Sequence, residues 1–402
     1  MSGEGEPVPV PVPPLPPRLQ QIVEAEYPRY SAAEMARRRA AVAAALAEAG
    51  CDHLVFYGAN RAGSAVQWLT QWPVTVEAIG VLTPSERDAL FVQWINHAPL
   101  ARRLAPEADV AWGGESSTRA AIAVLEKRGA RENRVGIIGA MNFEQHAALA
   151  ARFGRITNLN RAYVRLRRVK SAEELDWLRI GAWLSDRGMA GLRDGLAPGL
   201  DERALGDLIE RAYLREGGTN VIHFIGATSM HDPSLGVPAQ FPSTRKVAKG
   251  DIVFAEISAA FWDHSGQVLR SFAVGEDPPP LYRALHAAAA AAFEAIVAVL
   301  RHGATPAQVV EAAGVIEDSG FTIIDDLLHG YGGGYFPPIL GSRSRPAGPI
   351  SEEPFEAGMT VVVQPNVVTP DGKAGVQTGE LVLITQTGIE RLHSFPRGFA
   401  RV

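Results

Sequence analysis

Cysteine is almost absent. Cys51 is the only one in 402 residues, so no internal disulfide can form and the fold must rest on packing. Such usage fits a reducing cytoplasm, and Cys51, just ahead of the apolar run HLVFYG, reads as a small buried residue and not as a nucleophile. No apolar stretch approaches the roughly 18 to 20 residues of a bilayer span, so no membrane is expected as a partner. No run of lysine and arginine makes a stripe that could track phosphates. With 39 basic against 44 acidic side chains the formal charge is -5, and no nucleic acid is expected either. The basic-then-apolar order of a secretory signal is also missing. The start MSGEGEPVPVPVPPLPPRLQ is acidic and proline-rich, which predicts a polyproline-like arm over residues 1–20, lying on the surface or on another subunit.

What is present is enough apolar sequence, 47% of the chain, to bury a large core, and a length that predicts two domains. In the first, over 21–165, Ser31 and Glu34 open a capped helix that Gly50 stops. DHLVFYG, AIGVLTPSERDALFVQ and RVGIIG read as strands around the helix SSTRAAIAVLEKRGA, an α/β arrangement. The second domain, over 166–402, opens with a capping box at Ser171 and Glu174 and a long helix. A second helix starts at Asp201, a third is the alanine-rich LYRALHAAAAAAFEAIVAVLRHG, and a fourth runs from Thr305 to near Gly320. Strand pairs follow each helix pair: DIVFAEISAAFW with GQVLRSFAVG, then MTVVVQPNVV with GVQTGELVLIT through an Asp371-Gly372 turn. This order predicts an α+β domain of two similar halves, with helices outside a curved antiparallel sheet.

Polar residues inside apolar strands carry the chemical signal, because burying them costs several kcal/mol unless something satisfies them. Glu256, Gln267, Gln364 and Gln377 are of this kind, and His329 opens the glycine-rich LLHGYGGGYFPP. Alone, each reads as an outward-facing strand residue; together they mark a candidate pocket. The glycine run lacks the Gly-Lys-Ser/Thr ending of a phosphate cradle and is no dinucleotide fingerprint.

These stretches resemble the pita-bread superfamily of creatinase, prolidase, aminopeptidase P and methionine aminopeptidase. The landmarks recur in order: KSAEEL, STRKVAKGDIV, AEISAAFWDHSGQVLRSFAVG, HGYGGG, FEAGMTVVVQP, GVQTGELVLIT and GIERLHSFP. The resemblance implies a pita-bread catalytic domain, a curved antiparallel sheet with outer helices and a pseudo-twofold, after a smaller α/β domain of the creatinase type. It also implies a homodimer, with Trp68 and Trp72 as candidates to wall the partner's pocket, although aromatic core packing is the leading reading of both. The metallopeptidases of this superfamily hold two divalent metals on two Asp, one His and two Glu. Those positions fall here on Glu256, Gln267, His329, Gln364 and Gly379, while a second His falls on Phe336 and the His before FPSTRK on Ala239. Glu380, next to Gly379, faces away from the pocket by strand alternation. A neutral Gln carbonyl seldom replaces a bridging carboxylate, so no dinuclear metal and no other cofactor is expected.

The expected function is metal-independent hydrolysis of a C–N bond, amide or amidine in type, in a small polar molecule. Glu256 and His329 would exchange protons, the Glu with a raised pKa, while Gln267 and Gln364 orient substrate or water. Tyr331, Arg270, Gln377 and His231 are the further candidate substrate contacts, His231 doubling as an alternative acid or base. A lyase of the same fold, a non-catalytic binding module and an Xaa-Pro-type metallopeptidase are the competing readings.

Overall fold

The computed structural model describes residues 11–402. The first half of the expected arm lies outside the described residues. Its last part is helical instead: Pro17–Glu24 forms a helix, because Pro17 presets the first helical φ and Leu19 finds a buried seat. The chain divides into two compact units, Glu24–Arg167 on one hand, and Arg168–Val402 with the segment ending at Val23 on the other.

The unit Glu24–Arg167 holds strands β1 (His53–Ala59), β2 (Glu77–Leu82), β3 (Asp88–Val92), β4 (Ala108–Trp112), β5 (Val135–Ile138) and β6 (Thr157–Asn158) in the order β4-β3-β2-β1-β5-β6. Antiparallel pairs join β1 to β2 and β2 to β3; the remaining neighbours are parallel. Val55, Ile79, Val81 and Phe91 pack against Ala121, Leu125, Leu149 and Phe153 of two covering helices. Trp68 and Trp72 are core residues, 0% and 2% exposed, and so cannot wall a partner's pocket. The helix Ala65–Thr70 turns Trp68 inward, edge-on to Tyr163.

In the other unit the capping box at Ser171 forms as expected, and the helix Ala172–Gly195 follows. A nine-stranded sheet is its scaffold. Three long strands come first: β7 (Thr219–Ser229), β8 (Asp251–Phe261) and β9 (His264–Ala273). A short strand β10 (Thr322–Ile323) precedes β11 (Leu328–Tyr331), β12 (Tyr335–Leu340), β13 (Thr360–Val363), the short β14 (Val367–Val368) and β15 (Gly379–Ile384). The order β12-β11-β13-β15-β9-β8-β7 is antiparallel throughout; β16 (Ile389–Arg391), antiparallel to β15, and β17 (Ala400–Arg401), parallel to β9, complete the nine, and β10 pairs separately with β14.

Two expectations need correction here. The helix expected from Thr305 to near Gly320 breaks into Pro306–Ala312 and Val315–Asp318. At Gly314 the Arg343 guanidinium packs against the backbone and donates to the Gly314 carbonyl at 2.8 Å. The alanine-rich helix Pro280–Val299 is, by length and composition, apolar enough to cross a bilayer. Its Tyr282, Leu285, Ala289, Ala292, Phe293 and Ile296 instead lie in the main core with Val361, Val363 and Val382.

Candidate active site

Register decides which side chains meet. Glu256 pairs with Leu269, Ser258 with Gln267, Gly379 with Leu269, and Val362 with both His329 and Leu381. Alternation along each strand therefore puts Glu256, Gln267 and His329 on one face, and Gln364, just past the end of β13, continues it. Arg270, Ile257 and Glu380 take the opposite face. There the helix Ala172–Gly195 packs so closely that Ser185 donates to the Gly266 carbonyl at 2.5 Å.

A chain of amides ties the first face together. Gln267 Nε2 donates to Glu256 Oε1 at 2.8 Å and to Gln364 Oε1 at 3.2 Å. Gln377 Nε2 reaches Glu256 Oε2 at 3.4 Å. Gln364 Nε2 donates to Asp326 Oδ1 at 2.6 Å, and the Tyr335 hydroxyl donates to Asp326 Oδ2 at 2.6 Å. The Tyr335 ring stacks on His329 with centroids 4.0 Å apart, while Tyr331 meets His329 edge-on and accepts from Ser265 Oγ at 2.9 Å. His329 Nδ1 donates to the Gly330 carbonyl at 3.2 Å, which leaves Nε2 as an acceptor.

Electrostatics separates the two candidate proton carriers. Burial pushes the Glu256 carboxyl up to about 8, helped by the Asp325 and Asp326 carboxylates. Burial pushes the His329 imidazole down to about 4, against the Gly330 bond and Asp325, which pull it upward. Asp325 reaches solvent, yet atoms packed around its carboxyl strip part of its hydration and, with Asp326 beside it, raise it to about 6. Asp326, half-buried, is also raised by loss of hydration.

Of the residues singled out from sequence, Glu256, Gln267, Gln364, Gln377, His329 and Tyr331 come together. Two do not. Arg270 is wholly buried on the opposite face, donating to Glu380 Oε2 at 2.8 Å and to the carbonyls of Gly379, Phe395 and Pro396. Glu380, also bound by Arg391, points away as alternation required. His231 is exposed and bonds Glu276, near the far end of β7; its neighbour Ser229 is paired to Asp251, five residues and roughly 17 Å of strand from Glu256. Asp325 and Asp326 are the site residues that sequence reasoning missed as functional. The signal was there in DDLLHG, two adjacent acids three residues before the candidate histidine.

A dinuclear metal does not fit these donors. Among the described residues no group of three or more His, Cys, Asp or Glu converges on a point that could hold an ion. Both Asp326 oxygens already accept hydrogen bonds, and the Glu256 oxygens face two amide donors. At the fifth position a side chain has no room: a Cβ on Gly379 would lie 2.5 Å from the Val363 carbonyl oxygen and 2.9 Å from Gln364 Cα.

Fold and site together define a hydrolase-type scaffold with an altered centre. Residues 176–386 match the model of metallopeptidase family M24, more than half of the chain, and the chain belongs to that family. A probable dipeptidase PepE of Mycobacterium bovis is 30% identical over 240 residues, 58% of this chain and 60% of that protein. The match therefore spans less than two thirds of that relative's length. The dipeptidase PepE structure from Mycobacterium ulcerans superposes with a TM-score of 0.75 at 24% identity, covering 93% of this chain and 99% of that one. The X-Pro aminopeptidase of Thermotoga maritima superposes at 0.78 and 16% identity, covering 90% and 99%. These structures establish the pita-bread fold.

Proposed function

We propose that this chain is a hydrolase that cleaves a C–N bond of a small polar molecule, of amide or amidine type, without a catalytic metal. The observation that carries the reading is the divergence of two groups on one sheet face: near neutral pH Glu256 keeps its proton and His329 lacks one. Environments that push two groups apart in this way assign an acid and a base. In the reaction, His329 Nε2 takes a proton from water as its oxygen bonds to the substrate carbon. Asp325 stabilises the imidazolium that forms. Glu256 gives its proton to the departing nitrogen as the C–N bond breaks, and proton return from His329 resets the pair. Gln267 and Gln364 fix the carboxyl and the attacking water by donating and accepting. The dipeptidase names of the relatives favour a peptide-like C–N bond as the first substrate to try.

The test uses protein purified without added metal and dialysed against EDTA, assayed on dipeptides, amides and amidines in ¹⁸O-labelled water. Expected is ¹⁸O in the product, with well under one metal ion per chain by elemental analysis. Glu256→Gln should then lose about a hundredfold or more of the rate. Activity that returns only with two metal ions per chain would sink the proposal, and turnover without ¹⁸O would point to a lyase.

A further inference from the structure

Five buried acids among the described residues are neutralised by an arginine. Glu34 sits against Arg38 at 2.7 Å, Asp88 against Arg39 at 3.0 Å, Asp176 against Arg18 at 2.5 Å, Asp251 against Arg245 at 2.7 Å and Glu380 against Arg270 at 2.8 Å. Glu256, also buried, and the more accessible Asp325 and Asp326 beside it have no such partner: among the described residues no lysine or arginine pairs with any of them, the two aspartates raise the Glu256 pKa, and Asp326 raises that of Asp325. A second observation points the same way. Gln377 is 1% exposed; its Nε2 serves Glu256, but its Oε1 has no hydrogen-bond donor. A buried acceptor without a donor costs roughly 1–3 kcal/mol. The site thus has a spare buried acceptor and, on Asp325 and Asp326, negative charge without a basic partner along one face, with the aromatic faces of Tyr331 and Tyr335 beside it.

We infer that the substrate of this site carries an organic cation, a protonated amine or amidine, whose N–H groups are received by Asp325, Asp326 and the free Gln377 oxygen. The inference rests on the reading that the Glu256–His329 cluster is where substrate binds. An organic cation suits the acceptors better than a metal ion, because they are spread along the face and already share their lone pairs with amide donors. Tyr335, half-exposed after three glycines of positive φ, is the ring placed to close over it.

The experiment titrates full-length protein, ¹³C-labelled in histidine, with acetamidinium chloride, acetamide and sodium acetate, which share a shape and differ in charge. Binding is read at the His329 ring signal, assigned by its loss in His329→Gln, with sodium chloride as the ionic-strength control. Acetamidinium should saturate at least tenfold more tightly than acetamide, and acetate should leave the ring unmoved. Asp325→Asn, at an exposed position where folding is not at stake, should weaken acetamidinium several-fold, and the Asp325→Asn/Asp326→Asn variant should erase the preference. Equal binding of acetamide, preference for acetate, or a ring signal that moves only with magnesium or manganese overturns the inference. Cation selectivity in a protein that hydrolyses nothing without metal would remove the hydrolase reading alone. Metal-free hydrolysis with no cation preference would remove only this one.

Discussion

Glu256→Gln should change the way stability depends on pH, and the size of the effect follows from the burial of that carboxyl. Its pKa moves from 4.5 to about 8 on folding. Between those values the folded chain holds a proton that the unfolded chain releases, so stability falls as pH rises. The slope is about 1.4 kcal/mol per pH unit, and the whole window is worth on the order of 5 kcal/mol. Stabilisation by this group is complete below the unfolded value and gone once pH passes the folded one. Gln has nearly the same shape and no proton to lose. The stability difference, variant minus wild type, should therefore widen in favour of the variant from pH 5 to pH 8 and level off above. Hydrogen exchange on β8 and β9, corrected for the intrinsic rate at each pH, reads the stability of this unit separately from its neighbour. A difference that stays constant from pH 5 to pH 8 would show that Glu256 is charged throughout, and both the acid role and the proposed mechanism would go with it.

Three further outcomes are expected. Gly379→Ala should destabilise this unit by about 1–3 kcal/mol in thermal melts, because its methyl meets the Val363 carbonyl and the Gln364 backbone. By displacing Gln364 it should also cut turnover more than stability alone explains. Tyr335→Phe keeps the stack on His329 but removes a hydrogen bond that lowers the Asp326 pKa, so the Asp326 carboxyl, followed by its ¹³C chemical shift, should titrate at higher pH. Arg270→Met should cost about 3–5 kcal/mol by stranding Glu380 with Arg391 alone, and Arg270→Met/Glu380→Met should cost less. Acetamidinium binding at His329 should be untouched by the double variant, since the pair lies on the other face.

Much of the site was legible because strands have a period of two and apolar runs make a polar intruder visible. Glu256 and Gln267 stood out in this way, and the pairing of Ser258 with Gln267 explains why they meet. The same rule, applied to Arg270, would have separated it from Gln267, since an odd spacing of three changes face. Resemblance to a ligand motif overrode it. Asp325 and Asp326 were overlooked for a different reason. Two adjacent acids ahead of a strand look like any solvated loop. Their role arises only when Gln364 N bonds the Leu327 carbonyl at 3.0 Å and the loop folds onto the end of β13, a contact between residues 37 positions apart. Trp68 and Trp72 lie in the core, the reading their aromatic character favoured.

The close approach of Gln364 to Gly379 works as a one-way step for anyone seeking to engineer a metalloenzyme from this chain. Acids can be written back at 267 and 364 by single codon changes, but the fifth carboxylate has no volume to occupy until two neighbouring strands are prised apart. Rebuilding the centre is therefore a problem of backbone spacing first and of side-chain identity second.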